Sequence, residues 1–223
     1  MPKVKIPRKS TTIDMTAMCD VAFLLLSFFI LTAKFKPSDA LQVQTPSSVQ
    51  TKVAPEKDVV LLTIDKDGKV YLSVSDGNKA QKQDIIDAVA TSQSLTLTDQ
   101  QKNNFVKQPA AYIGVPFSQL ASWLNHTPDE LKGIPVTGIP VDSAHNELVV
   151  WIAAAKSAFA GAHMNLIVKG DNAALYPSFQ GVKNAFIKND EMKFQVVTNP
   201  VSVPVGTELY KKNMATGSKA VGS

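Results

Sequence analysis

Residues 15–33 read MTAMCDVAFLLLSFFILTA, nineteen residues that carry a single charge, on Asp20. At about 1.5 Å per residue a helix of this length spans roughly 28 Å. The hydrocarbon core of a bilayer is about 30 Å thick, so the stretch predicts one membrane-spanning helix. We assign residues 13–34 to this transmembrane segment.

Asp20 is the informative residue of this helix. A carboxylate at the bilayer centre costs about 2.5–3.5 kcal/mol on insertion scales, and such residues mark proton relays, ion paths or buried ion pairs. Thr16 lies four residues before Asp20 and Ser27 seven after it, so the three share one helix face. One helix cannot shield a polar face from lipid, and the sequence therefore predicts partner helices. An interfacial Asp20 on a deeper helix is the alternative.

Residues 13–21, IDMTAMCDV, followed by the apolar run, resemble the signature of the ExbD/TolR family. In that family a short basic N-terminus leads into Ile-x-x-Thr-(Pro)-x-x-Asp-Val and one membrane helix. The resemblance implies that Asp20 is the proton-carrying residue of a proton-driven motor, with Thr16 and Ser27 on the polar face of its helix. Ala17 departs from the proline of many members, which affects local helix geometry and leaves the Asp in place.

Basic residues are more frequent before the apolar run than after it. They are Lys3, Lys5, Arg8 and Lys9 on one side and Lys34 and Lys36 on the other. This bias favours a cytoplasmic N-terminus. We expect residues 1–12 to form a cytoplasmic arm and the chain after the helix to be periplasmic, in a single-pass protein of the bacterial inner membrane.

A cleaved secretory signal peptide is the competing interpretation of the N-terminus. The basic start, the apolar residues 21–33 and the small-x-small cleavage site that Ser38 and Ala40 offer fit it. Asp14 and Asp20 argue against it, because both precede the apolar core, where signal peptides favour positive charge.

Residues 35–57 are predicted to be a linker, since prolines and serines interrupt every regular pattern there. Within it, residues 41–46 alternate apolar and polar positions and are similar to a Val-x-Leu-Pro stretch of the family. The resemblance implies that this stretch, with Leu41, Val43 and Pro46, pairs with the folded domain and helps to hold the motor off. An inert spacer is the alternative.

Residues 58–200 are predicted to form a mixed α/β domain of the α+β class, with helices on one face of a sheet. Residues 59–64 and 69–74 flank an Asp-Gly turn at 67–68, a strong hairpin signal. Residues 81–90 have helical spacing. Thr98 and Gln101 are placed for a capping box. The family domain is shorter in this region, so we interpret about 98–142 as an insertion whose aromatic stripe packs on its own domain.

The closing part of the domain follows a β–α–β pattern. Residues 148–159 have one apolar helical face and 165–169 read as a strand. A helix is predicted from Tyr176, with Phe179, Val182, Phe186 and Ile187 inward, and residues 194–198 form the last strand. The resemblance to the family covers roughly 13–75 and 147–199. We expect residues 201–223 to be a flexible tail.

Composition excludes several classes of function. The net charge of +4 is too small and too scattered for nucleic-acid binding. One cysteine excludes a zinc cluster of cysteines, and the three histidines, His126, His145 and His163, are far apart. We find no phosphate-binding loop, nucleophile elbow or metalloprotease motif. We therefore expect no enzyme activity, no cofactor and no metal.

The resemblance implies the partners. They are an ExbB- or TolQ-like polytopic membrane protein, a TonB- or TolA-like transducer and a second copy of the chain, since relatives act as dimers. The chain would be the proton-channel subunit of a motor that converts the proton motive force into work for outer-membrane transport. Two other hypotheses remain at this stage: an exported periplasmic binding module with a cleaved leader, and a passive membrane-anchored structural protein.

Overall fold

The computed structural model describes residues 15–32, 43–49, 55, 57–107, 112–127, 130–201 and 205–215. The chain divides into two compact units, residues 1–38 and 39–223, and each is described by itself. In the first unit one helix is described, α1 (Met15–Thr32). Its bounds match the predicted apolar stretch to within one residue.

The second unit is built on a four-stranded sheet. Its strands are β2 (Val59–Ile64), β3 (Val70–Val74), β4 (Asn165–Gly170) and β5 (Phe194–Val196), in the order β3-β2-β4-β5. β2 and β3 form the predicted antiparallel hairpin, while β4 is parallel to both β2 and β5. At the turn Gly68 has a φ of +78°, a conformation that favours glycine. A separate pair, β1 (Ser47–Ser48) and β6 (Asn199–Pro200), is parallel.

Among the residues that the structure describes, six helices accompany these strands. They are α2 (Lys79–Ser92), α3 (Asp99–Lys107), α4 (Phe117–Trp123), α5 (Leu148–Ala158), α6 (Tyr176–Lys188) and α7 (Glu208–Ala215), with a short 3-10 helix at Glu130–Gly133. The predicted mixed α/β class is therefore confirmed. The predicted capping box of α3 is also confirmed: Thr98 N donates to Gln101 Oε1 at 2.7 Å, and Gln101 N donates to Thr98 Oγ1 at 3.3 Å.

The hydrophobic core lies on one face of the sheet. Alternate residues of each strand, such as Val60, Leu72 and Val168, join one buried cluster with residues of α2, α5 and α6. Because successive strand residues point to opposite faces, these helices share the same side of the sheet. Burial of the apolar faces of these helices stabilises the fold, at about 25 cal/mol per Å² of apolar surface.

Residues 98–142 are part of this core. Phe105 and Trp151 stack with ring centroids 6.3 Å apart, and Phe117 stacks on the same indole at 5.7 Å. Ile113 and Ile139 form antiparallel bridges to β3. The predicted packing of the aromatic stripe on its own domain is confirmed. The identification of this segment as an insertion stays a prediction.

One prediction at the end of the domain needs correction. Ile187 was predicted to face inward, but 46% of its surface is exposed, because the inward side of α6 is completed by Val182, Ala185 and Phe186. The segment predicted to be a flexible tail contains α7, and its flexibility stays a prediction. Tyr210 N donates to Thr207 Oγ1 at 3.3 Å at the start of this helix, an N-cap that the surrounding Pro, Gly and Ser residues hide in the sequence.

Candidate functional site

The helix α1 exposes its entire surface apart from Ser27. Its large apolar side chains are all at least half exposed, from Leu25 at 50% to Leu31 at 85%, and none is buried. Among the described residues it is the one helix long and apolar enough to cross a membrane. An apolar surface of this extent requires a lipid or protein environment. The helix is therefore consistent with a single-pass membrane anchor.

The polar side chains of α1 differ in whether they find a hydrogen-bond partner within the helix. Ser27 Oγ donates to the carbonyl of Leu24 at 2.9 Å, and Thr32 Oγ1 donates to that of Phe28 at 2.7 Å. Serine and threonine hydroxyls can thus be accommodated within one helix. No hydrogen bond or ion pair joins Asp20 to another residue that the structure describes. Asp20 is the polar group of this helix that most needs a partner from outside it.

Seven residues of the predicted linker, 43–49, lie against the folded domain; we call them the strap. Gln44 anchors one side of it. The Gln44 amide donates to Asp171 Oδ2 at 2.9 Å, and the Asn172 amide donates to the Gln44 carbonyl at 2.7 Å. Both partners directly follow β4. The strap is thus held at the end of a central strand of the sheet.

The other side of the strap is bonded to β6 and the residue after it. The Asn199 amide donates to the carbonyl of Pro46 at 2.8 Å, and the Val201 amide to that of Ser48 at 2.9 Å. Asn199 Nδ2 also donates to the Thr45 carbonyl at 3.0 Å. These bonds pair the strap with the chain that follows the last strand of the sheet.

The charge on Asp171 stabilises the strap in its position against the domain. The amides of Ala173 and Gln44 donate to the Asp171 carboxylate and hold its pKa below its usual value. A lowered pKa means that the ionised carboxylate is the form stabilised by these bonds. Ionised Asp171 therefore both shapes the turn after β4 and binds the strap.

The structure places the predicted site residues in two groups. Thr16, Asp20 and Ser27 are on α1, at the spacing of one face. Val43 and Pro46 are half-buried in the strap, whereas Leu41 lies outside the described residues. Sequence reasoning missed Asp171 and Asn199 as anchors of the strap. The one available signal was the position of each at or near a strand end, where short polar side chains bond backbone groups.

The described part of the chain offers no obvious metal site. No three side chains of His, Cys, Asp or Glu within it are grouped so that they could hold an ion.

Comparison with known proteins provides the family. Residues 7–158 match the model of the family described as biopolymer transport protein ExbD/TolR. The match includes α1 with Asp20, the strap, the hairpin and the segment 98–142, and it ends with α5, before β4. The comparisons with curated proteins and with solved structures each found no match. Since the family model spans more than half of its length, this chain belongs to the ExbD/TolR family of biopolymer transport proteins.

Proposed function

We propose that this chain is the proton-carrying subunit of an inner-membrane motor, and that Asp20 is the residue that takes up and releases the proton. Membership of the ExbD/TolR family implies a role in energy transduction for biopolymer transport. The finer assignment rests on one observation: a single carboxylate within an exposed apolar helix, with no bonding partner among the described residues.

Protonation of such a carboxylate changes the surface that the helix can face. The ionised form requires polar or charged surroundings, whereas the neutral form faces an apolar surface at much lower cost. Proton uptake and release can therefore alternate the preferred position of α1 against its partner helices. One charge crossing a potential of 100 mV supplies about 2.3 kcal/mol, enough to bias such a step strongly.

The partners proposed for this motor follow from the family and from the exposed helix. Two or more copies of α1 would lie within an ExbB- or TolQ-like polytopic protein, whose helices cover the polar face containing Asp20. Residues 1–12 would be cytoplasmic and the α/β domain periplasmic. This domain would act as a dimer on a TonB- or TolA-like transducer or on the cell wall.

We further propose that the docked strap restrains the motor. Ten residues, 33–42, connect α1 to the strap, and they can span at most about 35–40 Å. With the strap released, the connection between α1 and β2 comprises residues 33–58, which can span on the order of 90 Å. Release of seven residues would therefore more than double the reach of the periplasmic domain from the membrane.

Two measurements discriminate the other hypotheses. An exported module with a cleaved leader predicts a mature chain that lacks residues 15–32, which intact mass measures directly. A passive anchor predicts that the purified full-length chain carries no polytopic partner. Our proposal predicts an uncleaved chain that co-purifies with such a partner.

The proposal is tested by substitution of Asp20 in cells. Asn is nearly isosteric with Asp but does not exchange a proton, so Asp20→Asn should abolish energised uptake while the complex is recovered in normal amounts. Cys19→Ser, at the adjacent exposed position, is the matched control and should retain uptake. If Asp20 is a structural member of an ion pair instead, Asn would weaken assembly, because it leaves a buried partner charge unpaired.

A further inference from the structure

The α/β domain carries an apolar protrusion at the start of α6. Leu175 and Tyr176 are 61% and 69% exposed, and among the described residues of this unit they are the one adjacent pair of exposed large apolar residues. Ala173 before them and Pro177 after them are also exposed. We call residues 173–177, Ala-Ala-Leu-Tyr-Pro, the tip. Single exposed apolar residues are common on protein surfaces, whereas contiguous ones mark a contact surface.

Folding of the domain does not explain Leu175. This residue is the N-cap of α6, with an extended backbone and no side-chain hydrogen bond to the helix. Polar residues such as serine are favoured at this position, because their side chains accept a hydrogen bond from the first turn, and leucine is disfavoured. The apolar packing at this end of α6 is made by Ala174 and Phe179, which both contact the core. Leu175 therefore neither caps the helix nor fills the core.

The tip begins beside the point where the chain from α1 reaches the domain. Asp171 and Asn172, directly before the tip, form hydrogen bonds with Gln44 of 2.9 Å and 2.7 Å. Residues 33–42 connect α1 to this point and span at most about 35–40 Å. The length of this connection therefore keeps the tip within reach of the bilayer in which α1 is anchored.

The charges beside the tip nearly balance. The turn between β2 and β3 lies against α6 here, since a Cβ added at Gly68 would clash with the Ser178 hydroxyl. The turn contains two aspartates and two lysines, at Asp65, Lys66, Asp67 and Lys69. Asp171 adds one further negative charge, which Lys66 attracts. Positive charge is therefore not in excess among the described residues beside the tip, and the surface offers an apolar contact without a basic patch.

The two exposed side chains of the tip suit the interface of a bilayer. Tyrosine is enriched at the membrane–water boundary, where its ring contacts acyl chains and its hydroxyl stays in water. Leucine gains free energy wherever its apolar surface leaves water. A bilayer surface also tolerates the balanced charges of the neighbouring turn, because apolar contact with lipid needs no complementary charge.

We propose that the tip inserts into the surface of the bilayer in which α1 is anchored, with Leu175 and Tyr176 as the side chains that contact lipid. Two side chains bind a membrane weakly, since even a single myristoyl chain gives only marginal binding. The short connection to α1 compensates, because it raises the effective concentration of the tip at the bilayer to the millimolar range. The contact is therefore reversible and depends on the anchor, and it does not depend on proton transport by Asp20.

The test places a fluorescent probe beside the tip of the full-length chain in phosphatidylcholine vesicles. Cys19→Ser removes the one native cysteine, and Ala173→Cys adds a site for the dye NBD that leaves Leu175 and Tyr176 in place. The quencher is a phospholipid with a spin label on its acyl chain, close to the headgroup. Ala80→Cys, at an exposed alanine in the first turn of α2, is the matched labelling site. We expect quenching on the order of twofold greater at residue 173 than at residue 80, because the tip lies at the interface.

Two variants assign the quenching to the apolar side chains. Leu175→Ser combined with Tyr176→Ser should lower quenching at residue 173 to the level at residue 80. Serine is a favoured N-cap, so this pair of substitutions should leave α6 folded, which tryptophan fluorescence verifies. Met192→Ser is the matched control: it removes a side chain of similar exposure, 62%, beyond the other end of α6, and should leave quenching unchanged. Phosphatidylglycerol added to the vesicles should not increase quenching, because the contact is apolar.

Four results would overturn the proposal. The first is equal quenching at residues 173 and 80, and the second is quenching that survives the two serine substitutions. The third is quenching at residue 173 that requires phosphatidylglycerol. The fourth is a dimer in detergent that the two serine substitutions dissociate in analytical ultracentrifugation, which would assign the tip to contact with a second copy. Asp20→Asn should leave quenching unchanged, so failure of this proposal and failure of the proton-carrier role are distinguishable.

Discussion

Phe105→Ala tests whether residues 98–142 are an integral part of the α/β domain. Phe105 is fully buried in α3, and its ring stacks on Trp151 of α5 at 6.3 Å with an interplanar angle of 28°. Truncation of a buried Phe removes its transfer free energy and leaves a cavity, at a typical cost of 3–5 kcal/mol. The stacked partner contributes about 0.5–1.5 kcal/mol within that range. We expect a loss of about 4 kcal/mol in the free energy of unfolding.

The two tryptophans of the chain report this unfolding directly. Trp123 lies in α4, within the segment 98–142, and Trp151 lies in α5, outside it; both are buried in the core. Fluorescence of the full-length chain in urea therefore follows this domain without a signal from α1. With a slope of about 2 kcal/mol per molar urea, a loss of 4 kcal/mol lowers the midpoint by roughly 2 M.

Leu175→Ala is the matched control, since Leu175 is 61% exposed. We expect this substitution to change the free energy of unfolding by less than about 0.5 kcal/mol. A loss below about 1 kcal/mol for Phe105→Ala would refute the reasoning. So would a separate early transition of Trp123, because it would show that the segment unfolds as an appendage of the domain.

Three further predictions concern the caps, the strap and the topology. Thr98→Ala should lower the free energy of unfolding by about 1 kcal/mol, because it removes one half of the capping box of α3. Thr96→Ala is the control, and equal losses of unfolding free energy for the two variants, measured in urea, would contradict the capping box. The amides of Ala173 and Gln44 lower the pKa of Asp171 in the folded chain. The stabilisation that Asp171 gives the strap is therefore complete above the pKa of an unfolded Asp, about 3.9, and is lost as the pH falls through the lower pKa of the folded state, its folded value. Hydrogen exchange should show that protection of the Gln44 amide falls when the pH is lowered through that folded value, and protection of this amide that does not change over the same range would count against it. Protease added to spheroplasts should digest residues 58–200, whereas complete protection there would refute the periplasmic orientation.

Local signals in the sequence were sufficient for most elements. The hairpin, α2, α5 and the capping box of α3 each depend on residues within a few positions of one another, where periodicity and turn chemistry act. The position of Asp20 is also a local signal, since one charge interrupts a long apolar run. These features are predictable because they do not depend on which distant segments meet in the fold.

The features that could not be predicted from the sequence depend on contacts between residues that are far apart in the chain. Gln44 and Asp171 are separated by 127 positions, and neither residue type indicates that one will bond the other. The bridges of Ile113 and Ile139 to β3 likewise form only once the sheet exists. At Gly114 an added Cβ would clash with the ring of Tyr71, a packing reason for glycine that no local pattern reveals. The strap could therefore be suspected from its alternating pattern, but its binding site could not.

The central claim, that Asp20 carries the proton, is tested most directly by proton flux. The complex with its polytopic partner is reconstituted in liposomes, and flux is measured under an imposed membrane potential for the wild type, Asp20→Asn and the adjacent control Cys19→Ser. The account predicts equal flux for the wild type and Cys19→Ser, and no flux above that of protein-free liposomes for Asp20→Asn in an intact complex. Wild-type flux through the Asp20→Asn complex would contradict it.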